Sequence, residues 1–198
     1  MPDLSPAAIE LIARFEGLNQ PGKWPGGASG ITIGIGYDLG YVTVDQFESD
    51  WDEHLRTDHR DRLVDAVGIR GIRAKNRAST FSDIRIRRVD AEQVLEEKTI
   101  PLCQLRTAQA FPGLERLPLD AQGAIVSLVY NRGTSMVDDS PQDRRREMRA
   151  IRYAVAEQDL HEIANQLRAM KRLWQGKGLD GLLQRREAEA VLVESAIA

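Results

Sequence analysis

Apolar positions along the chain change period twice. Over residues 5–17, Ile9, Ile12 and Ala13 recur at helical spacing, and Ala8, Leu11 and Phe15 make a second stripe. Ser5 is placed to cap this helix, Pro6 suits its first turn, and Gly17 ends it. The next step of the first stripe is Glu16, so a carboxylate stands on an apolar face at the helix end. Residues 19–30, "NQPGKWPGGASG", have turn chemistry throughout. Residues 31–37 then alternate with period two and predict a strand, its glycines weakening it while allowing another chain to approach.

Helical spacing returns at residue 44, where Thr43 reads as the cap for "VDQFESDWDEHL". Residues 69–88 predict short helical pieces at best, with "DIRIR" as an extended segment. Asp90 reads as the cap of a helix running to about Phe111, which Pro101 should kink or divide. Residues 119–132 have the pattern of a buried helix closed by Gly133. Ser140-Pro141 should open a helix to about Ala156. Residues 159–174 form a clean amphipathic pattern, and a last helix spans roughly 180–196. One small β element near the N-terminus and helices elsewhere predict an α+β, mainly helical fold. The expected organisation is a single domain over 1–198, with an N-terminal lobe of about 1–88 and a helical lobe of about 89–198.

Composition narrows the classes. Hydrophobic residues are 42% and charged residues 29% of 198, ordinary for a folded chain, and no apolar run is long enough for a membrane span. The first residues lack a basic segment before their apolar ones, so no signal peptide is expected. Cys103 is the only cysteine, which excludes an intramolecular disulfide and two-cysteine metal motifs. His54 and His59 are five apart, off a common helix face, so no metal site is expected. Net charge is −3, yet residues 69–88 hold seven Lys/Arg against one Asp. Such a run reads first as a solvated face, and alternatively as a surface for a polyanion, nucleic acid or a cell-wall polymer.

Glu16 is the first candidate for chemistry. Loss of solvation favours the neutral carboxyl, which can protonate a departing glycosidic oxygen. The plainer alternative is the last turn of a helix, paired to an arginine. Across the scissile bond a glycosidase needs a second polar group. Thr32, Gly34, Gly36 and Asp38 share parity along the ribbon, placing Thr32 and Asp38 on one side with no side chains between them. The alternative is a tight hairpin that needs its glycines for the turn. Trp24 suits stacking on a sugar ring or closing its loop, and those readings stay level.

"FEGL" at 15–18, "TIGIGY" at 32–37, "SLVYNRG" at 127–133 and "LLQRREAEAVL" at 182–192 together resemble the phage-type lysozymes of glycoside hydrolase family 24, phage endolysins and some bacteriocin muramidases. The resemblance implies a lysozyme-like fold and a muramidase that hydrolyses the β-1,4 bond between N-acetylmuramic acid and N-acetylglucosamine in peptidoglycan. By motif it makes Glu16 the general acid and Thr32 the holder of the attacking water. The family's usual loop aspartate falls on Gly26, and residues 17–30 contain no Asp or Glu. A bacteriocin-like variant places that carboxylate after the hairpin glycines, at Asp38, with Ser29 as a fallback for holding water.

Tyr37 stands where many relatives have His and is a structural partner or a sugar contact. Asn131 is expected to cap its helix or line the cleft; Arg185 or Arg186 either stands in a solvated basic turn or pairs with Glu16, with Arg186 the candidate substrate contact. No metal and no organic cofactor is implied. The expected partner is bacterial peptidoglycan, met by a monomer made in the cytoplasm and released by a holin or dedicated secretion, with an immunity protein if the chain is a secreted toxin. A lytic transglycosylase and a non-catalytic glycan or nucleic-acid binder on the same scaffold are the rival functions.

Overall fold

The computed structural model describes residues 4–197. Helix follows helix apart from one two-stranded hairpin, the α+β class expected. The chain forms two compact units, one of residues 1–15 with 101–198, the other of residues 16–100. The units change at Phe15/Glu16 and Ile100/Pro101, so that all of the first helix but its last residue groups with the C-terminal helices.

Helix α1 spans Pro6–Glu16. The Ser5 hydroxyl accepts from the Ala8 N–H at 3.2 Å, and Gly17 leaves the helix at φ +65°. Within its unit α1 lies against α7, Leu119–Arg132, whose residues 121 to 129 are all buried. Their closeness depends on Gly123: a Cβ there would stand 2.1 Å from the Ala8 Cβ. Gly133 stops α7, its N–H bonded to the Val129 carbonyl at 2.7 Å. Helices α8 (Arg146–Glu157), α9 (Leu160–Ala169) and α10 (Asp180–Glu194) belong to this unit as well. The Asp159 carboxylate caps α9 by accepting from the Glu162 N–H at 2.9 Å.

Two boundaries differ from the sequence expectation here. Helix α8 begins at Arg146 and not at Ser140, because Asp138 takes the N–H groups of Ser140 (2.9 Å) and Arg144 (2.8 Å) and holds that stretch as loop. The amphipathic pattern of 159–174 divides into α9 and a 3₁₀ turn at Met170–Leu173.

In the other unit the period-two ribbon is not one strand. Strands β1 (Thr32–Ile33) and β2 (Tyr37–Asp38) pair antiparallel, Thr32 opposite Asp38 and Ile33 opposite Tyr37. Gly34 (φ +55°) and Gly36 (φ +72°) make the turn between them. Helix α2 (Val44–Trp51) carries its expected cap, Thr43 accepting from the Gln46 N–H at 3.2 Å, but it stops at Trp51. A separate α3 (Thr57–Val64) follows, which the sequence reading lacked. Residues 69–88 hold the short helix α4 (Ile72–Ala78) and a 3₁₀ turn at Ser79–Phe81, and "DIRIR" joins no sheet. Gln20 holds that segment in place, donating to the Ile86 carbonyl (3.0 Å) and accepting from its N–H (2.9 Å).

Helix α5 (Arg88–Val94) starts before Asp90, which sits buried in the first turn with its carboxylate on Arg87. A π turn at Leu95–Thr99 leads into α6 (Ile100–Ala110). Pro101, which has no N–H to continue the ladder, marks that change of winding and lies where one unit gives way to the other.

Candidate functional site

The hairpin is built around what glycine permits. A Cβ on Gly34 would meet the Trp51 ring at 2.8 Å and Ala91 at 3.3 Å. The turn is therefore seated on the core of its unit, where Ile33 and Trp51 have no exposed surface. Tyr37 packs edge-on against Trp51, 5.6 Å between ring centres. Its hydroxyl donates to Asp50 Oδ2 at 2.8 Å, while Gln46 donates to Asp50 Oδ1 at 2.8 Å. Burial pushes the Tyr37 hydroxyl far up from its ordinary pKa, and Asp50 adds to the shift. This is the structural partnership weighed for Tyr37, a residue with 6% of its surface exposed.

Asp38 turns back across the hairpin. Its Oδ1 accepts from the N–H of Gly30 (2.9 Å) and of Gly40 (2.8 Å), and Oδ2 lies 3.2 Å from the Gly30 nitrogen. Burial raises the pKa of its carboxyl, while the Gly40 and Gly30 amides and the nearby Arg70 oppose that rise. Gly30 has to be glycine for this geometry: a Cβ would come within 2.5 Å of Asp38 Oδ1 and 2.4 Å of the Gly40 nitrogen. Asp38 thereby ties the loop end at Gly30 to the 3₁₀ turn Leu39–Tyr41. Thr32 and Asp38 share a side of the ribbon, as expected, but as cross-strand partners and not as alternate residues of one strand.

Glu16, half-buried, ends α1 at the first residue of this unit. Asn19 connects that point to the hairpin. The Asn19 amide nitrogen donates to the carbonyls of Glu16 (3.3 Å), Gly17 (3.5 Å) and Gly34 (3.3 Å). The Asn19 main-chain N–H also bonds to Gly34 O at 2.7 Å, an isolated bridge. One side chain thus holds the helix end carrying Glu16 against the turn that follows Thr32, which is itself 9% exposed. Sequence reasoning missed Asn19. Its only local signal is an asparagine just after a helix stop, and nothing in the sequence pairs it with a glycine fifteen residues on.

Trp24 is half-buried. Its indole N–H donates to the Ser29 carbonyl at 2.9 Å, closing the loop, and Lys75 Nζ stands 5.9 Å from its ring centre. The same Ser29 carbonyl also receives the Gly71 N–H at 2.9 Å.

The remaining two expected residues lie in the other unit. Arg186 has no exposed surface. Its Nη2 reaches Glu189 Oε1 at 2.8 Å and Asn131 Oδ1 at 3.4 Å. Arg185 donates to the same Glu189 oxygen at 3.3 Å and to the Ser127 carbonyl at 3.0 Å, and the Ser127 hydroxyl completes the cluster at 2.7 Å from Glu189 Oε1. Burial pushes the Glu189 carboxyl up, and the two guanidiniums and the serine work against that. The paired arginines of "QRREAE" therefore cross-link α10 to α7, and a guanidinium with no exposed surface presents nothing to a polymer. Asn131 is half-buried and serves as an acceptor for Arg186.

A mainly helical chain with one glycine-turned hairpin, a glutamate closing the first helix and a threonine on the hairpin's first strand defines a lysozyme-like α+β protein. The chain belongs to the phage lysozyme family, whose sequence model matches residues 13–189. No curated protein matches it. Family membership carries a lysozyme-like, peptidoglycan-lytic function. Among the described residues no helix is long and apolar enough to cross a membrane, and no three His, Cys, Asp or Glu side chains gather as a metal site would need.

Proposed function

We propose that the chain is a muramidase that hydrolyses the β-1,4 bond between N-acetylmuramic acid and N-acetylglucosamine, with Glu16 as general acid. The observation that carries this reading is the Asn19 clamp. It fixes the end of the helix bearing Glu16 to the turn of the hairpin bearing Thr32. Held geometry is what acid catalysis of glycosyl transfer needs, since a proton donor must meet the leaving oxygen within hydrogen-bond reach. Glu16 gives its proton to the glycosidic oxygen as the bond to the anomeric carbon breaks. A water held at the Thr32 hydroxyl then adds to that carbon, forming the new C–O bond and releasing its proton to solvent. The bonds from Gly30 and Gly40 to Asp38 support a positioning part for this carboxylate, which shapes the strand opposite Thr32 and does not itself drive the water.

Purified peptidoglycan digested by the parent and by Glu16→Gln tests the proposal. The expected result is a loss of at least a hundredfold in rate for the variant, measured on folded protein. Activity near that of the parent removes Glu16 from the chemistry. Mass spectrometry of the parent's products should show reducing muramic acid ends; anhydro ends would assign a lytic transglycosylase instead.

A further inference from the structure

In the unit of residues 1–15 and 101–198 the loop after α7 borders an open cavity of about 680 Å³. Arg132, Arg144 and Arg145 line it, with Asp138, Ser140 and Trp174. Neighbouring arginines are neutralised: Arg146 and Arg172 pair with Glu147, and Arg149 with Asp143. Among the described residues no carboxylate lies within 4.0 Å of the guanidinium of Arg132, Arg144 or Arg145.

The three arginines are also prepared in different ways. Arg132 lies against Trp174, its guanidinium carbon 5.0 Å from the ring centre, and its Nη2 is anchored on the Arg144 carbonyl at 2.7 Å. Its Nε is buried with no acceptor. Arg145 is anchored on the Arg132 carbonyl at 3.0 Å. Arg144 is exposed, and its side chain makes no hydrogen bond within the described residues. The one acid of the cavity wall, Asp138, already accepts the N–H groups of Ser140 and Arg144. Burial and the neighbouring guanidiniums of Arg145, Arg186 and Arg144 hold the Arg132 pKa down to about 10. An anion in the cavity would relieve both causes, pairing with the charge and replacing its lost hydration.

We propose that this cavity binds the phosphoryl group of a phosphate monoester. Three unpaired guanidiniums exceed what the two oxygens of a single carboxylate can engage, whereas a terminal phosphoryl group presents three acceptor oxygens and close to two charges. The volume exceeds that of a bare oxyanion and leaves space for a small organic group attached to it.

Isothermal titration of the full chain at low salt, with inorganic phosphate and separately with glucose 1-phosphate, tests this. Both should bind saturably, the ester at least as tightly. Arg144→Gln, which breaks no side-chain contact, and Arg145→Gln should each weaken binding about tenfold, the loss of one charge-assisted bond. Arg152→Gln, an exposed arginine of α8 outside the cavity wall, should leave binding unchanged. No saturable binding by the parent, refusal of the ester, undiminished binding by Arg144→Gln, or an equal loss in Arg152→Gln would each overturn the assignment.

Discussion

Replacing Asp38 by Asn and by Ala separates a structural carboxylate from a catalytic one. In Asp38→Ala the N–H groups of two buried glycines, Gly30 and Gly40, lose their acceptor. Each buried unsatisfied donor costs about 1–3 kcal/mol, and the lower part of that range applies because Asp38 itself is half-buried, for a total of about 2–3 kcal/mol. For a chain of this size that is a fall of about 5–10 °C in melting temperature. In Asp38→Asn the amide oxygen can take the place of Oδ1, which receives both N–H groups, so only the longer 3.2 Å contact at Oδ2 is lost. The cost should stay below about 1 kcal/mol.

The pH dependence gives the same experiment a second readout. The folded carboxyl binds its proton more tightly than the unfolded one, whose ordinary value is 3.8. Below that value both states are protonated and the contribution of Asp38 is fully present. As pH rises past it toward the raised folded value, the unfolded state loses its proton first and stability falls. Asn has no such step, so the small cost of Asp38→Asn relative to the parent should shrink as melts are taken from about pH 3.5 upward. On peptidoglycan it should keep activity within about threefold of the parent. Equal destabilisation by Asn and Ala would refute the hydrogen-bond reasoning. A stable Asp38→Asn protein slowed more than a hundredfold would refute the positioning part and make the carboxylate a participant at the water.

Two further substitutions test the scaffold around the site. Asn19→Ala removes the side-chain clamp but keeps the main-chain bond to Gly34, so about 1–2 kcal/mol of stability should go together with about tenfold in kcat and little change in KM; a melt and steady-state kinetics on soluble peptidoglycan check this, and a full kcat would show that the clamp does not position the acid. Gly123→Ala drives a methyl group to 2.1 Å from Ala8 Cβ and should cost about 1–3 kcal/mol in chemical denaturation, whereas an unchanged midpoint would show that α1 and α7 can separate freely.

The sequence made α1, α7 and α9 legible because their buried apolar positions recur at a period that is local information, whereas α10 buries Arg185, Arg186 and Glu189 beside Ala190, Leu192 and Val193. It failed where one polar side chain outweighs that period. Asp138 keeps 140–145 out of α8 by taking two backbone N–H groups, and nothing in "DDSPQDRR" says which acid will do so. The ribbon failed differently. Period two fits one strand of seven residues as well as a hairpin folded at its middle, and the positive φ of Gly34 and Gly36 decides between them.

The same ambiguity reaches the site. Placing Thr32 and Asp38 on one side of the ribbon held under either reading, because residues directly opposite in an antiparallel pair share a face just as alternate residues of a strand do. Their surroundings did not carry over. In a single strand Asp38 would look along a glycine floor toward Thr32. In the hairpin it stands at the far end of β2, where the chain next folds back and two amides converge on its carboxylate. A carboxylate that must satisfy buried backbone donors has fewer lone pairs left for a water, so the bond that shapes the hairpin also limits the chemistry Asp38 can do. Glu16 is placed otherwise: Asn19 holds it through its main-chain carbonyl and leaves the carboxylate out of that bond. An acid clamped by its backbone beside a hairpin braced by a second acid's side chain is a division of labour between the two carboxylates. It predicts that Glu16→Gln lowers the rate, and that at Asp38 the substitutions lacking an acceptor cost the most stability.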